Sequence, residues 1–173
     1  MRRPITGLAA ARSDPLPGSA SGFMKLAVRE ARKNLKIPKG GPFGACIVRE
    51  GQVLAVARNT VLAYDATCHA EVNAIRKASR RLGTFDLSGC VIFSTTEPCP
   101  MCFGAIHWAR IGLIVYGTSI ADAGRVGFNE LRISNAALKT LGKSRIRIVD
   151  GFLRNECLEL FKSWKALPTK ILY

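Results

Sequence analysis

The sequence has no long apolar run, no internal repeat and no long block of like charge. A membrane-spanning helix needs about 18 consecutive apolar residues, so nothing in the chain is predicted to cross a membrane. Acidic residues are scarce: 12 Asp and Glu stand against 26 Lys and Arg, and the formal net charge is +14. The basic residues are spread along the chain and are not interleaved with aromatics. A solvated basic surface and a nucleic-acid-binding face, favoured in the C-terminal third, both remain open.

The length and composition predict one folded domain. With 173 residues, of which 48% are hydrophobic, the chain is long enough to bury a sizeable core. Residues 1–22 are rich in Ala, Arg, Pro, Gly and Ser and contain no secretory apolar segment, so they are predicted to form a disordered extension before a single domain at 23–173. The six cysteines are predicted to be reduced thiols in a cytoplasmic protein rather than a disulfide framework.

Helical and strand patterns alternate along the chain. This alternation predicts an α/β fold, a three-layer α/β/α sandwich with a central mixed sheet. An amphipathic helix comes first and is followed by a hairpin around Glu50-Gly51-Gln52. The predicted helices lie at 23–36, from residue 69, at 99–109, at 134–141 and at 154–166, and the predicted strands at 45–49, 53–58, 90–94, 111–116 and 145–149.

Two short motifs, H-x-E and P-C-x-x-C, supply the donors of a catalytic zinc site. The ligands would be His69, Cys99 and Cys102, and three protein ligands leave the fourth tetrahedral position open for water. Zinc lowers the pKa of such a water to near neutrality, and Glu71 is placed to move its protons. Because Cys99 and Cys102 stand three residues apart at a predicted helix start, they share one face, and the helix dipole favours their thiolates. The motifs therefore predict one open, hydrolytic Zn²⁺ site per subunit.

Simpler interpretations of the same residues remain. A closed structural zinc site needs a fourth ligand, and Cys68, Cys90 and His107 are the candidates, although none stands at a recognised structural-zinc spacing. A redox pair of cysteines would leave the H-x-E motif without a role. Glu71 would in the simplest case only complement the dipole of its helix. A zinc-stabilised binding module without catalysis is the non-enzymatic alternative.

H-x-E with P-C-x-x-C is the signature of zinc nucleobase deaminases. The surrounding sequence resembles the cytidine-deaminase-like superfamily, and within it most closely the bacterial guanine deaminases and plant guanosine deaminases. This resemblance implies hydrolytic deamination of a guanine-type base or nucleoside, with release of ammonia, by a homodimer acting on a small purine. The segments that carry it are 42–45 (PFGA), Asn59, 69–78 (HAEVNAIRKA) and 97–110 (EPCPMCFGAIHWAR).

Several further residues are candidates for contact with the substrate. An amide such as that of Asn59 offers a purine edge both a donor and an acceptor, and a carboxylate at Glu130 could accept from the ring N–H and amino group of guanine. The resemblance also implies that a C-terminal aromatic enters the pocket. Each residue has a structural alternative, as a turn amide, a core aromatic, a surface charge or a frayed chain end. The full set is Phe43, Asn59, Ala70, Trp108, Phe128, Glu130 and Tyr173.

The chain departs from the family pattern in its substrate loop. The segment from Asn59 to His69 is one residue shorter than usual, and 65–68 reads Asp-Ala-Thr-Cys where Asp-Pro-Thr-Ala is more common. The runner-up function is a tRNA adenosine deaminase that makes inosine, in keeping with the net charge. Such proteins more often carry Pro-Val-Gly-Ala at 42–45 and Pro-Cys-Val-Met-Cys at 98–102, and this chain differs at both places. Another small amino-heterocycle remains a third possible substrate.

Overall fold

The structure, a computed structural model, describes residues 19–173. Its first helix begins at Ala20, three residues before the predicted start at Phe23. Ala20, Phe23, Met24 and Ala27 are all buried at the i, i+3, i+4, i+7 spacing of one helical face, and this burial extends the helix toward its N-terminus. The predicted boundary between extension and domain therefore lies inside the helix. Residues 1–18 of the predicted extension lie outside the described residues.

Residues 19–173 form six helices and five strands, with short 3₁₀ turns at Lys33–Leu35 and Val61–Ala63. Each of the five predicted helices and five predicted strands is present in its predicted order. The helices are α1 (Ala20–Arg32), α2 (Ala70–Leu82), α3 (Pro100–Trp108), α4 (Ile120–Arg125), α5 (Asn135–Leu141) and α6 (Arg154–Lys165). The strands are β1 (Gly44–Arg49), β2 (Gln52–Arg58), β3 (Cys90–Thr96), β4 (Leu113–Thr118) and β5 (Arg147–Val149).

The five strands form one mixed sheet in the order β2-β1-β3-β4-β5. Strand β1 runs antiparallel to β2 and β3, whereas β3, β4 and β5 are parallel. Alternating side chains divide the core between the two faces of the sheet. Ala45 and Ile47 of β1 pack in the cluster that includes α2 and α3, and Cys46 and Val48 pack in the cluster that includes α1 and α6. The predicted three-layer α/β/α sandwich is confirmed.

The central strands run further than the sequence pattern indicates. β3 was predicted to end at Ser94 but continues to Thr96, and β4 continues to Thr118, because these two threonines are ladder partners whose hydroxyls lie 2.9 Å apart. Helix α4 was not predicted. Its signal was present as a capping box, in which Ser119 and Asp122 cap each other's backbone N–H groups at the helix start.

All six cysteines are free thiols, so the structure contains no disulfide among them. Within residues 19–173, no helix is both long enough and apolar enough to cross a membrane. The topology brings the ends of two elements together: β3 ends at Thr96 and leads into the start of α3, while β2 leads through a loop into the start of α2. The N-termini of these two helices carry the predicted zinc motifs.

Candidate metal centre and active site

The three predicted zinc ligands converge at the starts of two helices. His69 is the N-cap of α2 and Cys99 the N-cap of α3, both with extended backbone, and Cys102 lies one turn into α3. His69 Nδ1 lies 3.6 Å from Cys99 Sγ and 3.5 Å from Cys102 Sγ. The donor atoms of these three residues all lie within 4.8 Å of one another.

These separations fit zinc. Zn–S bonds of about 2.3 Å and Zn–N bonds of about 2.0–2.1 Å at a tetrahedral angle place a sulfur and a nitrogen donor about 3.6 Å apart. One imidazole and two thiolates also match the donor preference of Zn²⁺. Among the described residues, none of the three candidate fourth ligands, Cys68, Cys90 and His107, belongs to this donor cluster. Cys68 Sγ lies 3.4 Å from both Asp65 and Arg76, and His107 Nδ1 lies 3.4 Å from Ser144 Oγ. The site therefore has three protein ligands and an open position.

The electrostatics of the cluster favour the thiolate form of one of its two sulfur atoms, that of Cys99, as a cation ligand. A hydrogen bond from the Cys102 thiol lowers the pKa of Cys99 to about 4, against the desolvation that burial imposes, and His69 adds to the lowering. The same hydrogen bond, together with burial, raises the pKa of Cys102. Burial works to lower the pKa of His69, but Cys99 and Glu71 outweigh it and raise that pKa. The cluster thus holds negative charge that a divalent cation would compensate.

Glu71 lies in the first turn of α2, and only 6% of it is exposed. Its Oε1 accepts a 2.7 Å hydrogen bond from Ser94 Oγ, and its Oε2 lies 3.5 Å from Cys102 Sγ. Burial raises the pKa of this carboxyl above its usual value, although His69 opposes the shift. A carboxyl whose pKa is raised holds a proton more readily than an exposed one, as a group that accepts and returns protons must.

A small cavity of about 160 Å³ opens onto the metal cluster. His69, Cys99 and Glu71 form its floor. Five of the seven predicted substrate contacts line it: Phe43, Asn59, Phe128, Glu130 and Tyr173.

The aromatic walls of this cavity support one another. Phe43 and Phe128 meet edge to face with their ring centroids 4.8 Å apart, and Tyr173 meets Phe128 at 5.8 Å. The carboxyl group of Glu130 is one of the polar groups that line the same cavity. Burial raises the pKa of Glu130, and Cys99 adds to that rise. The cavity therefore offers flat apolar walls, a few oriented polar groups and a metal site, as expected of a pocket for an aromatic heterocycle.

Two of the predicted contacts lie elsewhere. Trp108 is 78% exposed and does not line the cavity, so the cavity gives no support to its predicted contact with the base. It stands six residues beyond Cys102, which in a helix is about 9 Å further along the axis and about 240° around it. Ala70 is fully buried between His69 and Glu71, and it is absent from the residues that line the cavity.

Three further residues shape the site and were not predicted to do so. Ser94 orients Glu71, as described above. Glu97, 7% exposed, accepts hydrogen bonds from the backbone N–H groups of Ile120 and Asn135 at 3.1 and 2.8 Å. It thereby fixes the starts of α4 and α5 beside the metal motif. Asn129 lies on the cavity rim. The position of Glu97 directly before P-C-x-x-C was the signal that could have revealed it.

Comparison with known proteins agrees with this geometry. Residues 18–118 match the family model described as the cytidine and deoxycytidylate deaminase zinc-binding region. The chain belongs to this deaminase family. It is a zinc-dependent hydrolase that removes an amino group from a nucleobase, and the cofactor prediction is confirmed.

This deaminase is similar to two guanine deaminases and to a protein from a study of tRNA deaminases. The guanine deaminase of Bacillus subtilis (strain 168) is 39% identical over 152 residues, which cover 87% of this chain and 97% of the relative. The structure of the guanine deaminase from Nitrosomonas europaea has a TM-score of 0.78 and 26% identity, covering 94% of this chain and 100% of that one. A structure from a study of A-to-I editing by tRNA:A34 deaminases has a TM-score of 0.70 and 30% identity, covering 81% and 99%.

Proposed function

We propose that this deaminase converts guanine or guanosine to xanthine or xanthosine, with release of ammonia. The observation that carries the proposal is the placement of Glu130 in a base-sized cavity above the metal cluster. An ionised carboxylate only accepts hydrogen bonds. Guanine presents a ring N–H and an amino group side by side, whereas adenine has no ring N–H on its six-membered ring. Glu130 therefore complements guanine.

The size of the cavity supports a single base as the deeply bound group. Its volume of about 160 Å³ is below the roughly 300–1,000 Å³ of pockets that hold drug-sized ligands. A second cavity of about 620 Å³ shares Glu97, Phe128, Asn129 and Glu130 with it. Arg125, Ser119 and Ser134 also line this second cavity, which gives room for a ribose beside the base.

Different residues of the chain have different roles in the proposed reaction. When bound, zinc lowers the pKa of water and so supplies a nucleophile near neutral pH. Glu71 takes one proton from the attacking water and delivers it to the ring nitrogen next to the carbon that bears the amino group. That protonation makes the carbon electrophilic, and Glu71 then returns a proton to the departing amine. Phe43 and Phe128, which contact each other edge to face, form an apolar wall against which the ring of the substrate lies. Water and guanine are thereby converted to xanthine and ammonia.

Steady-state assays of the zinc-loaded protein test the proposal. Ammonia and xanthine should form in equal amounts from guanine, and ammonia and xanthosine from guanosine. Comparison of the two substrates decides whether the larger cavity accepts a ribose. Zinc-loaded protein that releases no ammonia from either compound would exclude the proposal.

A tRNA adenosine deaminase is the second candidate, and a basic groove favours it. Six cationic side chains line a cavity of about 520 Å³ together with a single carboxylate, Glu30. The groove also contains Thr60 and Cys68, from the same loop that contributes Asn59 and His69 to the metal cavity. It lies beside α1 and α2 rather than in the C-terminal third, where the sequence favoured a nucleic-acid face. The six cations are Lys33, Lys39, Arg58, Arg76, Lys77 and Arg80.

The salt dependence of tRNA binding separates the two candidates. A phosphate-binding groove gives a steep decrease of log affinity with log salt, and replacing Arg58 and Lys39 by Glu should flatten it. Replacement of Lys162 and Lys165 by Glu, the same change of charge on the exposed surface of α6, is the control. Inosine formation in tRNA with a steep slope would favour the second candidate, and a flat slope without inosine would remove it.

We also propose that the protein forms a homodimer through the outer side of α3. Trp108 is 78% exposed, Met101 38%, and Leu141 of neighbouring α5 82%. Met101 and Trp108 stand seven residues apart in α3 and so share one face of that helix. An exposed apolar face of this kind is typical of a protein–protein interface. Sedimentation should give a dimer for the natural protein and a monomer for Trp108→Lys. A monomeric natural protein would contradict the proposal.

A further inference from the structure

The last residue of the chain determines which way the Asn59 amide faces. The hydroxyl of Tyr173 accepts a 2.8 Å hydrogen bond from the backbone N–H of Gly41. Its own proton is therefore directed to its other partner, Asn59 Oδ1, at 2.9 Å. The backbone N–H of Val61 donates to the same Oδ1 at 3.1 Å. Two donors thus occupy the amide oxygen, and the orientation of the amide follows from the direction of these hydrogen bonds.

Packing closes the remaining space around this oxygen. A Cβ atom placed on Gly40 would lie 2.0 Å from Asn59 Oδ1, so the backbone of Gly40 covers that side of the amide. Asn59 is only 1% exposed, and Asn34 Nδ2 holds its backbone carbonyl with a 2.8 Å hydrogen bond. Among residues 19–173, Asn59 Nδ2 has no protein acceptor, and it is not one of the enclosed polar atoms. The amide therefore presents its NH₂ group, and not its oxygen, to the cavity.

We propose that Tyr173 is a specificity-determining positioning residue that makes the Asn59 side chain a donor without acceptor capacity toward the substrate. A free amide matches the donor–acceptor pair N6 and N7 of adenine, because it offers both an oxygen and a nitrogen. An amide whose oxygen is occupied matches two acceptors, and guanine presents two at this edge, N7 and O6. The hydrogen bond from Tyr173 thus rejects an amino group at position 6. This inference rests on the proposed guanine-type substrate. It identifies the hydrogen bond from Tyr173 to Asn59 as the feature that selects that substrate.

The test compares two ligands whose differences at N1 and at position 8 are the same for every variant, so a change in the ratio of their binding constants reports on the group at purine position 6. 8-Azaguanine carries an oxygen there, and 2,6-diaminopurine carries an amino group. Inhibition constants for both are measured with the natural protein and with Tyr173→Phe, which keeps the aromatic wall and removes only the hydroxyl. Tyr64→Phe, the same change at a 74% exposed position, is the matched control. Thermal unfolding of each variant confirms that it is folded.

The natural protein and the control should bind 8-azaguanine more tightly than 2,6-diaminopurine. In Tyr173→Phe the amide oxygen loses one of its two donors and keeps only the N–H of Val61, so the orientation of the amide is less strongly fixed. The ratio of the two constants should therefore shrink by about tenfold, the value of one hydrogen bond. If Tyr173→Phe weakens both ligands equally, the ratio of their inhibition constants does not change. Tyr173 would then serve only as an aromatic wall of the cavity, and the inference would be overturned. A natural protein that prefers 2,6-diaminopurine would also overturn it.

These outcomes are separable from failure of the proposed function. If the natural protein prefers 8-azaguanine but releases no ammonia from guanine or guanosine, the proposed reaction fails while the positioning role of Tyr173 stands. If guanine is deaminated and the ratio is insensitive to Tyr173→Phe, only the positioning role fails. If neither ligand binds to zinc-loaded protein, both are wrong. As a second variant, Asn59→Asp, which lacks the NH₂ group, should abolish the preference for the 6-oxo ligand.

Discussion

Ser94 Oγ donates a 2.7 Å hydrogen bond to Oε1 of Glu71, and both residues are buried. Ser94 belongs to β3 and Glu71 to the first turn of α2, so this bond ties the carboxylate to the rigid central sheet. The other oxygen, Oε2, remains on the side of the metal cluster, 3.5 Å from Cys102 Sγ. A carboxylate anchored through one oxygen keeps the other aimed at the reacting groups.

Replacement of Glu71 by Gln should abolish deamination without releasing zinc. The amide fills the same space but cannot transfer protons, so kcat should fall by about 10²–10⁴-fold. Because Glu71 is not one of the three clustered metal donors, zinc content should stay unchanged. Ammonia release and metal analysis on the same preparation check both statements. An unchanged rate would refute the proton-transfer role, and a loss of zinc would make Glu71 a ligand.

Replacement of Ser94 by Ala should have a smaller effect of the same kind. The carboxylate keeps its position in the chain but loses the hydrogen bond that orients it, so kcat should fall by about tenfold. Ser88→Ala, a change at an exposed position, is the control and should leave kcat unchanged. If Ser94→Ala raises KM at constant kcat instead, the bond supports substrate binding and not proton transfer.

The metal centre was predictable because its parts are local. Each motif spans only a few residues, and helix geometry then fixes which side chains share a face. The same geometry explains why Trp108, whose angular offset from Cys102 places it on the outer side of α3, does not line the cavity.

The contact from Tyr173 to Asn59 joins residues 114 apart in sequence, and that from Gly41 to Tyr173 joins residues 132 apart. A resemblance could indicate that the chain end enters the pocket. Neither periodicity nor spacing could reveal that its hydroxyl would meet an amide oxygen there, since such a contact depends on the whole tertiary structure.

Removal of zinc should expose a reactive thiolate at Cys99. With its pKa lowered to about 4, Cys99 is ionised at neutral pH in the metal-free protein, and thiolates are the form that alkylates. Burial raises the pKa of Cys46 and of Cys157 to about 12, so these thiols serve as internal controls. Mass spectrometry after iodoacetamide treatment should find Cys99 modified first, and zinc should protect it. Equal modification of all three would contradict the prediction.

Replacement of Glu97 by Gln should loosen the wall of the cavity. The carboxylate accepts from the backbone N–H groups of Ile120 and Asn135, and the segment between them carries Phe128 and Glu130. An amide has one acceptor oxygen and so loses one of the two bonds, at a cost of about 1–3 kcal/mol in the free energy of unfolding. KM should rise more than kcat falls, because the metal ligands stay in place. A decrease of kcat at constant KM would mean that Glu97 acts on the position of the metal ligands and not on the wall of the cavity.

Asp122 should contribute to stability in a manner that disappears in acid. Only 3% exposed, it binds Arg154 and Arg125 and caps α4, and the hydrogen bond from Arg154 is the main reason that its pKa lies well below the usual 3.8. A carboxyl whose pKa is depressed in the folded state stabilises that state fully above the pKa of the unfolded chain. The contribution is lost as the pH falls below about 3.8 toward the lower, folded-state pKa.

Asp122→Asn should therefore lower the free energy of unfolding by about 1–3 kcal/mol near neutral pH, the value of hydrogen bonds to a charged group. The difference from the natural protein should stay constant down to about pH 5 and narrow at lower pH. Denaturant unfolding at a series of pH values measures it. Glu159→Gln breaks the exposed ion pair with Lys162 and should change stability by less than about 1 kcal/mol at every pH. A difference for Asp122→Asn that is independent of pH would mean that the carboxylate acts through packing and not through its charge.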